Sequence, residues 1–79
     1  MWVVNFVHEG FPEAGGLAGP RGMDKEEARR WAQQQARALE SVYPGMQAQP
    51  WDGDALRVTR NGALVTTLVL VEGEPDDGR

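Results

Sequence analysis

The sequence predicts an α+β domain in the order β-α-β-β-β, with one amphipathic helix packed on a mostly antiparallel sheet of three to four strands. Three observations predict it. A capped stripe at helical spacing runs from Asp24 to Tyr43, an alternating apolar segment opens the chain, and Asn61-Gly62 joins two β-prone runs near the end.

Met1–Glu9 reads as a strand, with Trp2, Val4 and Phe6 on one face and Val3 and Val7 flanking Asn5 on the other. Both faces are apolar, which places it inside the sheet rather than at an edge. Gly10–Gly22 (GFPEAGGLAGPRG) follows, and its five glycines and two prolines predict a long loop.

The helix begins at Asp24. Glu27 stands three residues on, so the pair makes a capping box, and Asp24, Glu26 and Glu27 put negative charge at the positive end of the helix dipole. Ala28, Trp31, Ala32, Gln35, Leu39, Val42 and Tyr43 form the stripe that should face the sheet. Pro44-Gly45 stops the helix, because a residue before proline avoids the α region and glycine suits a left-handed cap.

A meander completes the domain. Met46–Trp51 reads as a weak strand that Pro50 pushes to an edge, and Asp52-Gly53 turns the chain into Ala55–Arg60. Asn61-Gly62 is a hairpin turn whose two positions favour positive φ, and Ala63–Val71 is the longest strand. The expected spatial order is 46–51, 55–60, 63–71, then 1–9. Residues 1–71 thus make one α+β domain, and the acidic Glu72–Arg79 (EGEPDDGR) should fray into a disordered tail.

A two-residue turn with regular pairing sets Arg60 against Ala63, Val58 against Val65 and Leu56 against Thr67. Leu64, Leu68 and Leu70 then share the opposite face with Arg57, Thr59 and Thr66. One helix cannot cover two apolar faces, so the second needs the glycine-rich loop, another copy or a partner.

Composition narrows the function. The chain has 79 residues and no cysteine, which removes a disulfide framework, thiolate metal sites and thiol catalysis. The opening apolar run lacks a basic flank and is interrupted by Asn5, His8 and Glu9, so neither a signal peptide nor a membrane span is expected, and the setting is read as cytoplasmic. With 12 acidic and 8 basic residues the net charge is −4, the wrong sign for direct nucleic-acid binding. Arginine supplies seven of the eight cations and isoleucine is missing, a codon signature of a high-GC source.

No motif fixes a reaction or cofactor. Gly15, Gly16, Gly19 and Gly22 match neither GxGxxG nor GxxxxGK[ST], and the acidic helix start they lead to repels phosphate. His8 is the only histidine and Ser41 the only serine, with no oxyanion hole in view. Asp52 and Asp54 lack the rest of a calcium loop. Of three tryptophans, Trp2 and Trp31 read as core, whereas Trp51 beside Pro50 is a candidate protein-contact residue.

The expectation is a small acidic, non-catalytic protein-binding module without cofactor or metal, its contact residues being Trp51, Asp52, Asp54, Leu64, Leu68 and Leu70. Its sharper form is an inhibitor or regulator that fills the basic groove of a nucleic-acid-binding protein, as phage-encoded inhibitors do. The alternative is a structural homodimer or assembly subunit joined through the sheet face. The third class is a small-ligand binder or enzyme using His8 and the glycine-rich loop.

Overall fold

The computed structural model describes residues 1–73. The strands are β1 (Trp2–His8), β2 (Gly16–Met23), β3 (Met46–Ala48), β4 (Ala55–Arg60) and β5 (Ala63–Glu72), with the single helix α1 (Lys25–Val42) between β2 and β3. They form one antiparallel sheet of five strands in the order β2-β1-β5-β4-β3. The order expected for the last four strands is present, and β1 lies inside the sheet.

The fifth strand comes from the segment expected to be a loop. A short 3-10 turn at Pro12–Ala14 is followed by β2, which pairs with β1 through Val4↔Ala18, Asn5↔Leu17 and Phe6↔Gly16. The ladder then shifts and resumes only at Trp2↔Met23. Glycine density hid this strand. Gly19 and Gly22 take φ of +86° and +77°, so the chain bulges out of register where no side chain with a Cβ sits comfortably. Met46–Trp51 is shorter than expected, ending as a strand at Ala48 before Pro50.

The capping box forms as read. Asp24 Oδ1 accepts from Glu27 N–H at 2.8 Å, and Glu27 Oε1 accepts from Asp24 N–H at 2.9 Å. The buried line of α1 is Ala28, Ala32 and Ala36, all fully covered. Three small side chains at spacing four let the helix lie close to the sheet, with Trp31 and Leu39 overhanging its sides. Val42 and Tyr43, expected in the stripe, are exposed at 67% and 45%.

Beneath the helix, Val4, Leu56, Val58, Leu68 and Leu70 close the core with Met23 and Met46. This corrects the hairpin reading. Asn61 (φ +53°) and Gly62 (φ +87°) make the expected turn, and Arg60 pairs with Ala63 and Thr59 with Leu64. Val58, however, pairs with Thr66, leaving Val65 as an extra residue. A one-residue bulge switches faces for everything beyond it. Leu68 and Leu70 therefore enter the core at 0% and 4% exposure, while Leu64, before the bulge, stays at 38% on the other face. At the end of the described residues Glu72 still belongs to β5, and Gly73 N–H donates to Met1 O at 2.8 Å. The rest of the expected tail, 74–79, lies outside the described residues.

Candidate functional site

Two surfaces have the character of sites, and the first is the sheet face away from α1. Register places Val3, Asn5 and Val7 of β1 there, with Ala55, Arg57 and Thr59 of β4 and Leu64, Thr67, Val69 and Val71 of β5. Leu17 joins them by pairing with Asn5. Val7, Leu17 and Leu64 are exposed at 40%, 49% and 38%, while Val69 and Val71 are half-buried. Of the β1, β4 and β5 residues on this face only Arg57 is charged, in a chain that is 25% charged, and Asp52 neutralises it at 3.1 Å. Depletion of charge, more than bulk hydrophobicity, distinguishes the centre of a protein interface from ordinary surface.

The sheet's edges are closed by contrast. Gln49 N–H donates inward to Arg57 O, so the amides of residues 46, 48 and 50 point outward from β3. Met46 N–H is taken by Tyr43 O at 3.2 Å and Ala48 N–H by the Glu40 carboxylate at 2.8 Å, and residue 50 is proline. No outward donor on β3 is left for another strand. On the opposite edge, Pro20 and the bulged glycines break the template.

The remaining residues singled out in the sequence are engaged within the chain. Trp51 is held on α1, its Nε1–H donating to Gln33 Oε1 at 2.8 Å and Arg29 stacking 4.3 Å from the ring centroid. Asp54 pairs with Lys25 at 3.2 Å, and Lys25 also sits 4.9 Å from the Trp2 ring. Asp52 closes the turn to Ala55 through two backbone bonds and pairs with Arg57. Of the six expected contact residues, Leu64 lies on the open face and Asp52 reaches it through its pair with Arg57, whereas Leu68 and Leu70 are in the core.

The second surface gathers around His8. A cavity of about 350 Å³ is lined by Phe6, His8, Leu39, Tyr43, Met46, Arg60, Val65 and Thr66. A second, shallower one of about 330 Å³ lies on the other side of Phe6 and His8, against Gly15–Ala18 of the glycine-rich segment. Sequence reasoning placed His8 with that segment but missed Tyr43 and Arg60, which only the helix end and the β3–β4–β5 register bring there. The network fixes the imidazole. Buried Thr66 hydrogen-bonds through its hydroxyl with His8 Nδ1 at 2.9 Å and donates to Val7 O at 3.1 Å, which holds the ring with Nδ1 turned to Thr66. Ser41 is exposed on α1 and does not line the cavity. Among the described residues no three His, Cys, Asp or Glu side chains converge on a metal site, and no helix is long and apolar enough to cross a membrane.

Comparison with known proteins returns no counterpart: no family model matches the chain, and neither a curated protein nor a solved structure matches it.

Proposed function

We propose that this chain is a small non-catalytic protein-binding module that works through the open face of its sheet, with a second copy of itself as the occupant. The observation that carries the reading is a sheet face without a covering helix whose β1, β4 and β5 residues include one charge, Arg57, paired with Asp52. Apolar surface of this kind is stabilised by being covered. The outward donors of β3 are taken and the β2 edge is broken by Pro20 and its bulge, so strand addition is disfavoured at both edges and face-to-face packing is favoured.

A second copy supplies the same charge-poor strip about a two-fold axis, and two stacked sheets make a sandwich with a shared core. Strands about 4.8 Å apart and residues about 3.4 Å apart give this face on the order of 500 Å² per copy. That places the pair at the weak end of specific interfaces, near 1,000 Å² in total, so association should depend on concentration. The version with a basic partner has less behind it, since Asp52 and Asp54 are already paired with Arg57 and Lys25. Salt separates the two: association through the open face persists at high ionic strength, whereas electrostatic docking weakens.

The experiment is sedimentation or light scattering of the wild-type chain and of Val69→Glu. Val69 sits mid-face between Asn5 and Ala55. The variant should be monomeric with an unchanged circular dichroism spectrum, while the wild type dimerises.

A further inference from the structure

We propose that the cavity between β1, the end of α1 and the β4–β5 hairpin binds a small amphipathic anion, namely a monocarboxylate on an apolar body. This goes beyond association through the sheet face and does not depend on it. The cavity lies on the helix side of the sheet.

The walls set the two halves of the ligand. Phe6, Leu39, Met46 and Val65 offer an apolar chamber of small-molecule size, about 350 Å³. The cation is Arg60. Its neighbour two residues earlier, Arg57, is paired with Asp52, but Arg60 has no ion-pair partner among the described residues. An unpaired guanidinium on the rim of an apolar cavity is a fork for a carboxylate. Tyr43 lines the same cavity, and His8 does so with Nδ1 hydrogen-bonded to Thr66.

The bulge contributes independently. Val65 is the unpaired residue between Thr59↔Leu64 and Val58↔Thr66, and it lines the cavity beside Thr66. Regular pairing directs adjacent residues to opposite faces. The bulge re-aims one of them, a use that bulges have beside binding sites. One term opposes an anion: the C-terminus of α1 carries a partial negative charge of about half a unit. The full charge of Arg60 exceeds it, and Tyr43 N–H already caps Leu39 O at 3.0 Å. The nearest helix carboxylate, Glu40, is turned to Ala48 N–H.

The test is an amide-resolved NMR titration of the full chain with octanoate, 1-octanol and octylammonium, which share a tail and differ in the head. Octanoate should give saturable shifts at His8, Met46 and Val65, binding roughly tenfold more tightly than the alcohol, with the ammonium weaker still. Arg60 is exposed, so Arg60→Gln should fold, and it should bring octanoate down to the alcohol's affinity, while Arg60→Lys retains part of the preference. Equal binding of the three probes overturns the proposal, as does an unchanged octanoate affinity in Arg60→Gln. So does the lack of any saturable shift at these residues. Were Arg60→Gln not to fold, the ratio of octanoate to octanol on the wild type decides the matter alone.

Discussion

Gly19→Ala should be among the most damaging single-methyl changes in this chain. Two effects add. Gly19 has φ of +86°, and a side chain in left-handed backbone costs about 1–2 kcal/mol. A Cβ there would also stand 2.7 Å from Trp31 Cζ2 and 2.8 Å from Cη2, closer than carbon atoms pack. The ring cannot swing freely, since Trp31 lies edge-on to Phe6 with centroids 6.2 Å apart. Moving it forfeits an aromatic pair worth ~0.5–1.5 kcal/mol and drives the side chain off its rotamer at a similar cost. The total is about 2–5 kcal/mol, a large share of the ~4–12 kcal/mol that a chain of this length holds. Gly22 is the internal control. Its φ is +77°, but a Cβ there meets nothing within 4 Å, so Gly22→Ala should cost only the backbone share, about 1–2 kcal/mol. At ~4–8 °C per kcal/mol, thermal melts should drop by about 8–40 °C for Gly19→Ala and about 4–16 °C for Gly22→Ala, the first exceeding the second in one set of conditions. Trp31→Phe removes the atoms that clash, so the Gly19→Ala penalty should shrink there towards that of Gly22→Ala. Equal penalties for the two glycines, or a Gly19→Ala cost unchanged by Trp31→Phe, would refute the packing of β2 under the helix.

Other predictions follow from the same geometry. Leu68→Ala should cost about 2–5 kcal/mol by urea denaturation and Leu64→Ala less than about 1 kcal/mol, a contrast that disappears if the hairpin lacks its bulge. Asp24→Ala removes the acceptor for Glu27 N–H and should lower stability by about 1 kcal/mol, with amide exchange rising first in the opening turn of α1. Glu40→Ala frees Ala48 N–H at the β3 edge; its amide should exchange faster, and the variant should aggregate sooner than the parent during refolding. Trp51→Phe loses the bond to Gln33 and should remove one indole's share of the fluorescence, with a stability loss of about 1 kcal/mol by denaturation.

Local signals carried most of the fold. Asp24 and Glu27 announce a helix start through chemistry confined to one turn, and Asn61-Gly62 announces a hairpin in the same way, so both were legible without tertiary context. What escaped was set by pairing. Residues 16–23 contain too many glycines and a proline to read as a strand, and they become one only because β1 offers an open edge. The bulge at Val65 has no local signature either: nothing between Ala63 and Thr67 distinguishes the regular register from the shifted one. Burying Leu56, Val58, Leu68 and Leu70 together under Ala28, Ala32 and Ala36 selects the shifted register. That single slip moved two leucines from the supposed contact face into the core. The inference that one sheet face lacks a covering helix survived, but its residues are Val7, Leu17, Leu64, Val69 and Val71. His8 was visible as the lone histidine, whereas Arg60 and Tyr43 join it only through long-range contacts.

Light scattering on the purified chain from micromolar to millimolar concentration, at low and high salt, tests the central claim most directly. Self-association through the open sheet face predicts a monomer–dimer equilibrium that strengthens with concentration, is indifferent to salt and is abolished by Val69→Glu. A monomer at every concentration, or a dimer that Val69→Glu leaves intact, would contradict it.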